Sequence, residues 1–75
     1  MVEDTLLTEE TFQVLKRVTA DWRDERTAID GIASAMHVSP GKVRASLEHL
    51  RRRHLVERRI RQTLQPCIEI RKIGR

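Results

Sequence analysis

Apolar residues recur every three or four positions through most of the chain and every second position near its end, a pattern that predicts three helices followed by a small β element. Thr8 can cap the first helix, with Glu9 and Glu10 in its first turn, where the helix dipole favours anions, and with Leu7 and Phe12 spaced as a hydrophobic staple. Phe12, Leu15, Val18 and Trp22 then make one apolar face, with Val14 beside them, so a helix over residues 8–22 is expected with Phe12 and Trp22 in the core. Thr27 and Asp30 repeat the capping-box spacing and predict a second helix over 28–36, whose buried stripe is Ile29, Ile32, Ala33 and Met36. After a turn at His37 and Val38, Ser39 is a good N-cap and Pro40 sits at the first helical position, where its missing N–H costs nothing. This starts a third helix over 40–53. Val43, Leu47 and Leu50 face inward and Gly41, Ala45, Glu48 and Arg52 face outward, flanked by Lys42, Arg44 and His49. Segments 55–61 and 67–73 carry β-branched residues, Ile68 and Ile70 alternate with Glu69 and Arg71, and Gln62 to Pro66 would form a hairpin tip. The expected architecture is mainly α with a small β-hairpin, an α+β fold.

Length limits what such a chain can do. With 75 residues it makes one domain, and a domain this small buries only about 60% of its unfolded surface, so its core is small and a pocket for a sizeable substrate is not expected. A single cysteine, Cys67, can make neither an internal disulfide nor a zinc site and suits a reducing cytoplasm. The N-terminal stretch has no positive region followed by an apolar run, and no window approaches a membrane span of about 18 apolar residues. A cytoplasmic protein with no membrane partner is expected. His37, His49 and His54 lack ligand-like spacing, and there is no nucleophile elbow, phosphate loop or convergent carboxylate pair. The reading is therefore of a protein that is not an enzyme, with no metal and no cofactor.

Charge changes the picture more than composition does. Residues 1–30 hold eight acids and four bases, whereas residues 31–75 hold three acids and eleven bases, so a net +4 chain is split into halves of −4 and +8. Such a basic half is the electrostatic footprint expected for a nucleic-acid partner. With only Phe12 and Trp22 as aromatics, a surface that stacks single-stranded bases is poorly supported, and duplex DNA is the better match.

The segment Ile32-Ala33, Met36, Val38-Ser39, Val43-Arg44, Leu47, Leu50 and Leu55-Val56-Glu57-Arg58 resembles the DNA-binding domain of GntR-type and MarR-type bacterial regulators, over about half of the chain. The resemblance implies a winged helix-turn-helix, with three helices and a C-terminal two-stranded wing, in which the helix from Pro40 is the recognition helix. It also implies DNA contacts at Ser39, Gly41, Lys42 and Arg44. Where those families commonly carry a turn glycine this chain has His37, and where a glycine precedes the Leu-Val pair it has His54. A histidine can take the positive φ that such a glycine supplies, at some cost.

On physical grounds Arg44 is the best base reader, because its planar fork can pair with guanine O6 and N7, while Lys42 acts on phosphate as a point charge. Ala45, Glu48, His49 and Arg52 share the outer face of the helix, and Arg59 and Arg61, with Arg58, Arg71 and Lys72, would give the wing a positive edge for phosphate or a narrow minor groove. The expectation is a sequence-specific duplex-DNA-binding protein, a small transcriptional or mobile-element regulator that works as a homodimer or a head-to-tail oligomer. The alternative is a winged-helix adaptor that binds protein and reads no DNA.

Overall fold

The computed structural model describes residues 8–73. Thr8 does cap the first helix: its hydroxyl accepts from the Thr11 N–H at 3.1 Å, and α1 spans Glu9–Arg17. Leu7, the other half of the expected staple, lies outside the described residues. The helix stops five residues short of the expected Trp22, because Val18 turns to an extended backbone and the Thr19 carbonyl accepts from the Lys72 N–H at 2.7 Å. That bond ties the chain into the sheet in place of another helical turn.

The buried face of α1 is Thr11, Val14 and Val18, not the stripe that begins at Phe12. Thr11 can occupy a core position because its hydroxyl is satisfied: it accepts from Thr8 Oγ1 at 2.9 Å and donates to Ser46 Oγ on the third helix at 3.4 Å. Phe12 is displaced to the surface, 45% exposed, with the Lys16 ammonium 5.6 Å from its ring centre. Trp22 is likewise half-buried in the connecting loop and not in the core.

Two residues, Arg23–Asp24, then form a short strand β1 that the sequence reading did not anticipate. Asp24 also caps the second helix, its carboxylate accepting from the Thr27 N–H at 3.0 Å and from the Thr27 hydroxyl at 3.1 Å. Accordingly α2 runs Glu25–Met36, starting three residues before the Thr27-capped start expected. Of the predicted stripe, Ile29, Ile32 and Ala33 are buried, while Met36 at the end of the helix is only partly buried against the core. His37 ends it in the left-handed conformation, φ 59° and ψ 41°, with the Val38 N–H reaching back to the Ala33 carbonyl.

Ser39 and Pro40 start α3, Pro40–Arg52, as the sequence predicts, with Ser39 Oγ accepting from the Lys42 N–H at 3.3 Å. Its end repeats the device that closed α2: His54 has φ 62°, and the Leu55 N–H bonds to the Leu50 carbonyl. The hairpin follows as β2, Val56–Arg61, and β3, Cys67–Lys72, paired antiparallel from Val56 opposite Lys72 to Arg61 opposite Cys67. Because β1 pairs with the other edge of β3, the sheet has three strands in the order β1-β3-β2, not the two of a simple hairpin. The core comprises Val14, Val18, Ile29, Ile32, Ala33, Val43, Leu47, Leu50, Val56 and Ile70. The architecture is thus a small α+β domain of three helices against a three-stranded antiparallel sheet. None of its helices is long and apolar enough to cross a membrane.

Candidate functional site

Burial of Val43, Ser46, Leu47 and Leu50 fixes the rotation of α3 and leaves one continuous side of the helix to solvent. Gly41, Lys42, Arg44, Ala45 and Arg52 are exposed on that side, Glu48 and His49 are half-buried at its margins, and Ser39 stands at its N-terminal end. The fold therefore brings together the eight α3 positions singled out in the sequence. Lys42 and Arg44 have no ion-pair or hydrogen-bond partner for their side chains among the described residues.

Toward the end of the helix the charges are matched. Glu48 accepts from Arg51 at 2.5 Å and lies 3.8 Å from the Arg52 guanidinium. The Arg51 hydrogen bond, with the charges of Arg51, Arg52 and Arg58 behind it, holds the Glu48 carboxyl below the usual carboxylate range. Arg44, Glu48 and Arg51 share a shallow cleft of about 110 Å³ with Glu25 and Arg58, and Arg58 lies 3.6 Å from Glu25. Arg58 is thus the hairpin arginine placed beside α3.

Arg59 and Arg61 lie elsewhere. Alternation along β2 turns them to the sheet face opposite Val56, where both meet Glu69, Arg59 at 2.8 Å and Arg61 at 3.6 Å. The Arg59 guanidinium also lies 4.2 Å from the Trp22 ring centre, and that of Arg71, which is paired with Glu57, lies 4.7 Å from it. The sequence places Arg59 and Arg61 on a positive wing edge for phosphate or a narrow minor groove; both are exposed, yet both are engaged with a carboxylate. It also passed over Glu69, which is only 7% exposed. A glutamate flanked by isoleucines on an alternating strand carries no sign that two cross-strand arginines will cover it.

Among the described residues no group of three His, Cys, Asp or Glu side chains is placed to hold a metal ion. Cys67 is a free, half-buried thiol. Chemically, the arrangement can present Lys42, Arg44 and the positive end of a helix dipole to an anionic partner, the first N–H groups of α3 being held by Ser39, whose Oγ accepts from the Lys42 N–H and whose carbonyl accepts from the Lys42 and Val43 N–H groups. The chain matches no protein-family model, no curated protein and no solved structure.

Proposed function

We propose that this chain is a winged helix-turn-helix protein that binds duplex DNA sequence-specifically, with α2 and α3 as the helix-turn-helix, α3 as the recognition helix in the major groove and the β2–β3 hairpin as the wing. The observation that carries the reading is the unpartnered pair Lys42 and Arg44 on the open side of α3, one turn from an N-terminus set by Ser39 and Pro40. Six other arginines of residues 31–75, Arg51, Arg52, Arg58, Arg59, Arg61 and Arg71, are already paired to carboxylates, whereas Lys42 and Arg44 are exposed cations of α3 that can meet a phosphate or a base edge. Arg44 lies far enough along the helix to reach a base, and Lys42 near enough to its start to reach the backbone. The role that follows is that of a small transcriptional or mobile-element regulator.

The test is a selection from random duplexes followed by binding measurements on the selected site and on an unrelated duplex. Arg44→Ala should weaken the selected site by about 1–3 kcal/mol and relax preference at one base pair, with little change on the unrelated duplex. Lys42→Ala should weaken both duplexes alike. If the parent binds no duplex even at low salt, the reading gives way to a protein-binding adaptor.

A further inference from the structure

We propose that Glu48 is a built-in stand-in for phosphate: its carboxylate occupies a cleft lined by Arg44, Arg51 and Arg58, withholds Arg51 from a DNA backbone, and so limits how tightly α3 holds any duplex regardless of sequence. The inference rests on the DNA reading above and adds the residue that restrains it. Glu48 is the one acid in α3, against Lys42, Arg44, Arg51 and Arg52. At about 100° per residue, Arg44, Glu48 and Arg51 fall within about 60° of one another, on the flank of the helix that meets the hairpin at the cleft. The acid therefore stands between two arginines on a surface that otherwise attracts anions.

The cleft, about 110 Å³, is walled by those three arginines and by Glu25, over an apolar floor of Leu47, Val56 and Ile70. Guanidiniums repel one another there more than they would in open water, and an anion among them relieves the repulsion. Glu25 answers Arg58 at 3.6 Å. Glu48 answers Arg51 with both oxygens: Arg51 Nη2 donates to one at 2.5 Å and Nε to the other at 3.4 Å. That two-point fork is the geometry in which a guanidinium also takes a phosphate, so carboxylate and phosphate compete for the same donors. The surrounding arginines, Arg51 first, hold the Glu48 carboxyl below its usual range, which makes it an ionised acceptor at neutral pH. Arg52 is only grazed, 3.8 Å away with a side chain 75% exposed.

An ordinary ion pair on a helix surface stabilises the helix slightly and does nothing else. What separates Glu48 from that case is where its partners lie, on the helix that carries Arg44 and beside the hairpin arginine Arg58. A phosphate that reaches Arg51 must expel the carboxylate or come to rest beside a like charge. One counterion fewer is then released from the duplex than the arginines of α3 would allow. The contact of Arg44 with a base edge does not pass through Glu48, so the device restrains attraction to the backbone and leaves readout in place.

The test compares Glu48→Gln with Glu9→Gln, an equal charge change on α1, by duplex binding across a salt series and by elution from heparin. Glutamine keeps the shape of the side chain and the melting midpoint should hardly move; Glu48→Ala serves if Glu48→Gln misfolds. Glu48→Gln should tighten the selected and the unrelated duplex alike, by about tenfold at about 0.1 M salt, and steepen the salt slope by about one. Glu9→Gln should change binding by less than about twofold. Adding Arg51→Gln to Glu48→Gln should cancel the gain, and a gain that survives it overturns the proposal. So does an unchanged slope, or an equal gain from Glu9→Gln, which would reduce the effect to net charge. A loss confined to the selected site overturns it too and makes Glu48 a base contact. In each of these cases the parent still binds DNA and the DNA reading stands. A parent that binds no duplex removes the DNA reading instead, and heparin then decides: Glu48→Gln should elute at higher salt than Glu9→Gln, and coelution overturns the proposal.

Discussion

Arg59 illustrates how a single side chain can look free in sequence and be committed in space. Its guanidinium bridges Glu69, a carboxylate 7% exposed, and the ring of Trp22, so it couples β2 to β3 and to the loop before β1. Arg61 reaches the same carboxylate at 3.6 Å with a side chain 60% exposed and no aromatic neighbour. Arg59→Glu should therefore leave Glu69 facing a like charge in a poorly hydrated position and cost about 1–3 kcal/mol, whereas Arg61→Glu should cost less than about 1 kcal/mol. For a domain of this size the first change lowers the melting midpoint by roughly 4–8 °C per kcal/mol. Equal midpoints for the two variants would show that Glu69 does not depend on Arg59. Thr11 teaches the complementary lesson: hydrophobicity alone nominates Phe12 for the core, but a threonine whose hydroxyl is bonded at both ends can be buried in its place.

Among the elements, those with local signals were legible and those that depend on distant partners were not. Ser39 followed by Pro40 specifies the start of α3 within a few residues of chain, and the alternation around Ile68 and Ile70 specifies a strand. Strand β1 has only two residues, too few to alternate, and exists because β3 offers a free edge. The same distant edge ends α1 early through the Thr19 to Lys72 bond. Asp24 was overlooked as a cap because Thr27, a legitimate capping residue three positions on, follows it; in the fold Thr27 is the residue being held. The open face of α3 followed from its periodicity, while the pairing of the hairpin arginines needed the register. Both ends of the α3 segment rest on left-handed histidines, His37 and His54. A non-glycine residue pays about 1–2 kcal/mol of steric strain there, partly offset because glycine is more flexible when unfolded. His37→Gly and His54→Gly should each stabilise the domain by up to about 1 kcal/mol, read as a higher melting midpoint, and His37→Val should lower it. Destabilisation by either glycine would mean that the imidazole makes a contact that outweighs the strain.

At the scale of the whole molecule, the formal split between an acidic and a basic half overstates the charge available to a partner. Glu25, Glu48, Glu57 and Glu69 neutralise much of the arginine-rich surface from within. If Lys42, Arg44 and Arg52 each displace a counterion from duplex DNA, the logarithm of affinity should fall with the logarithm of salt at a slope near −3 per protomer. Recruitment of Arg59 and Arg61 away from Glu69 would steepen it to between about −4 and −5. Measuring duplex binding over a salt series separates the two.

The five residues from Gln62 to Pro66 are all exposed and outside the core, so changes there are limited by the turn alone, in which the Thr63 hydroxyl donates to the Gln65 carbonyl at 2.8 Å. Drift that keeps the turn is therefore free to explore new side chains at little cost in stability. A duplicated gene could diverge first at this point without disturbing the packing of the three helices on the sheet. Helix α3 would be inherited untouched by both copies.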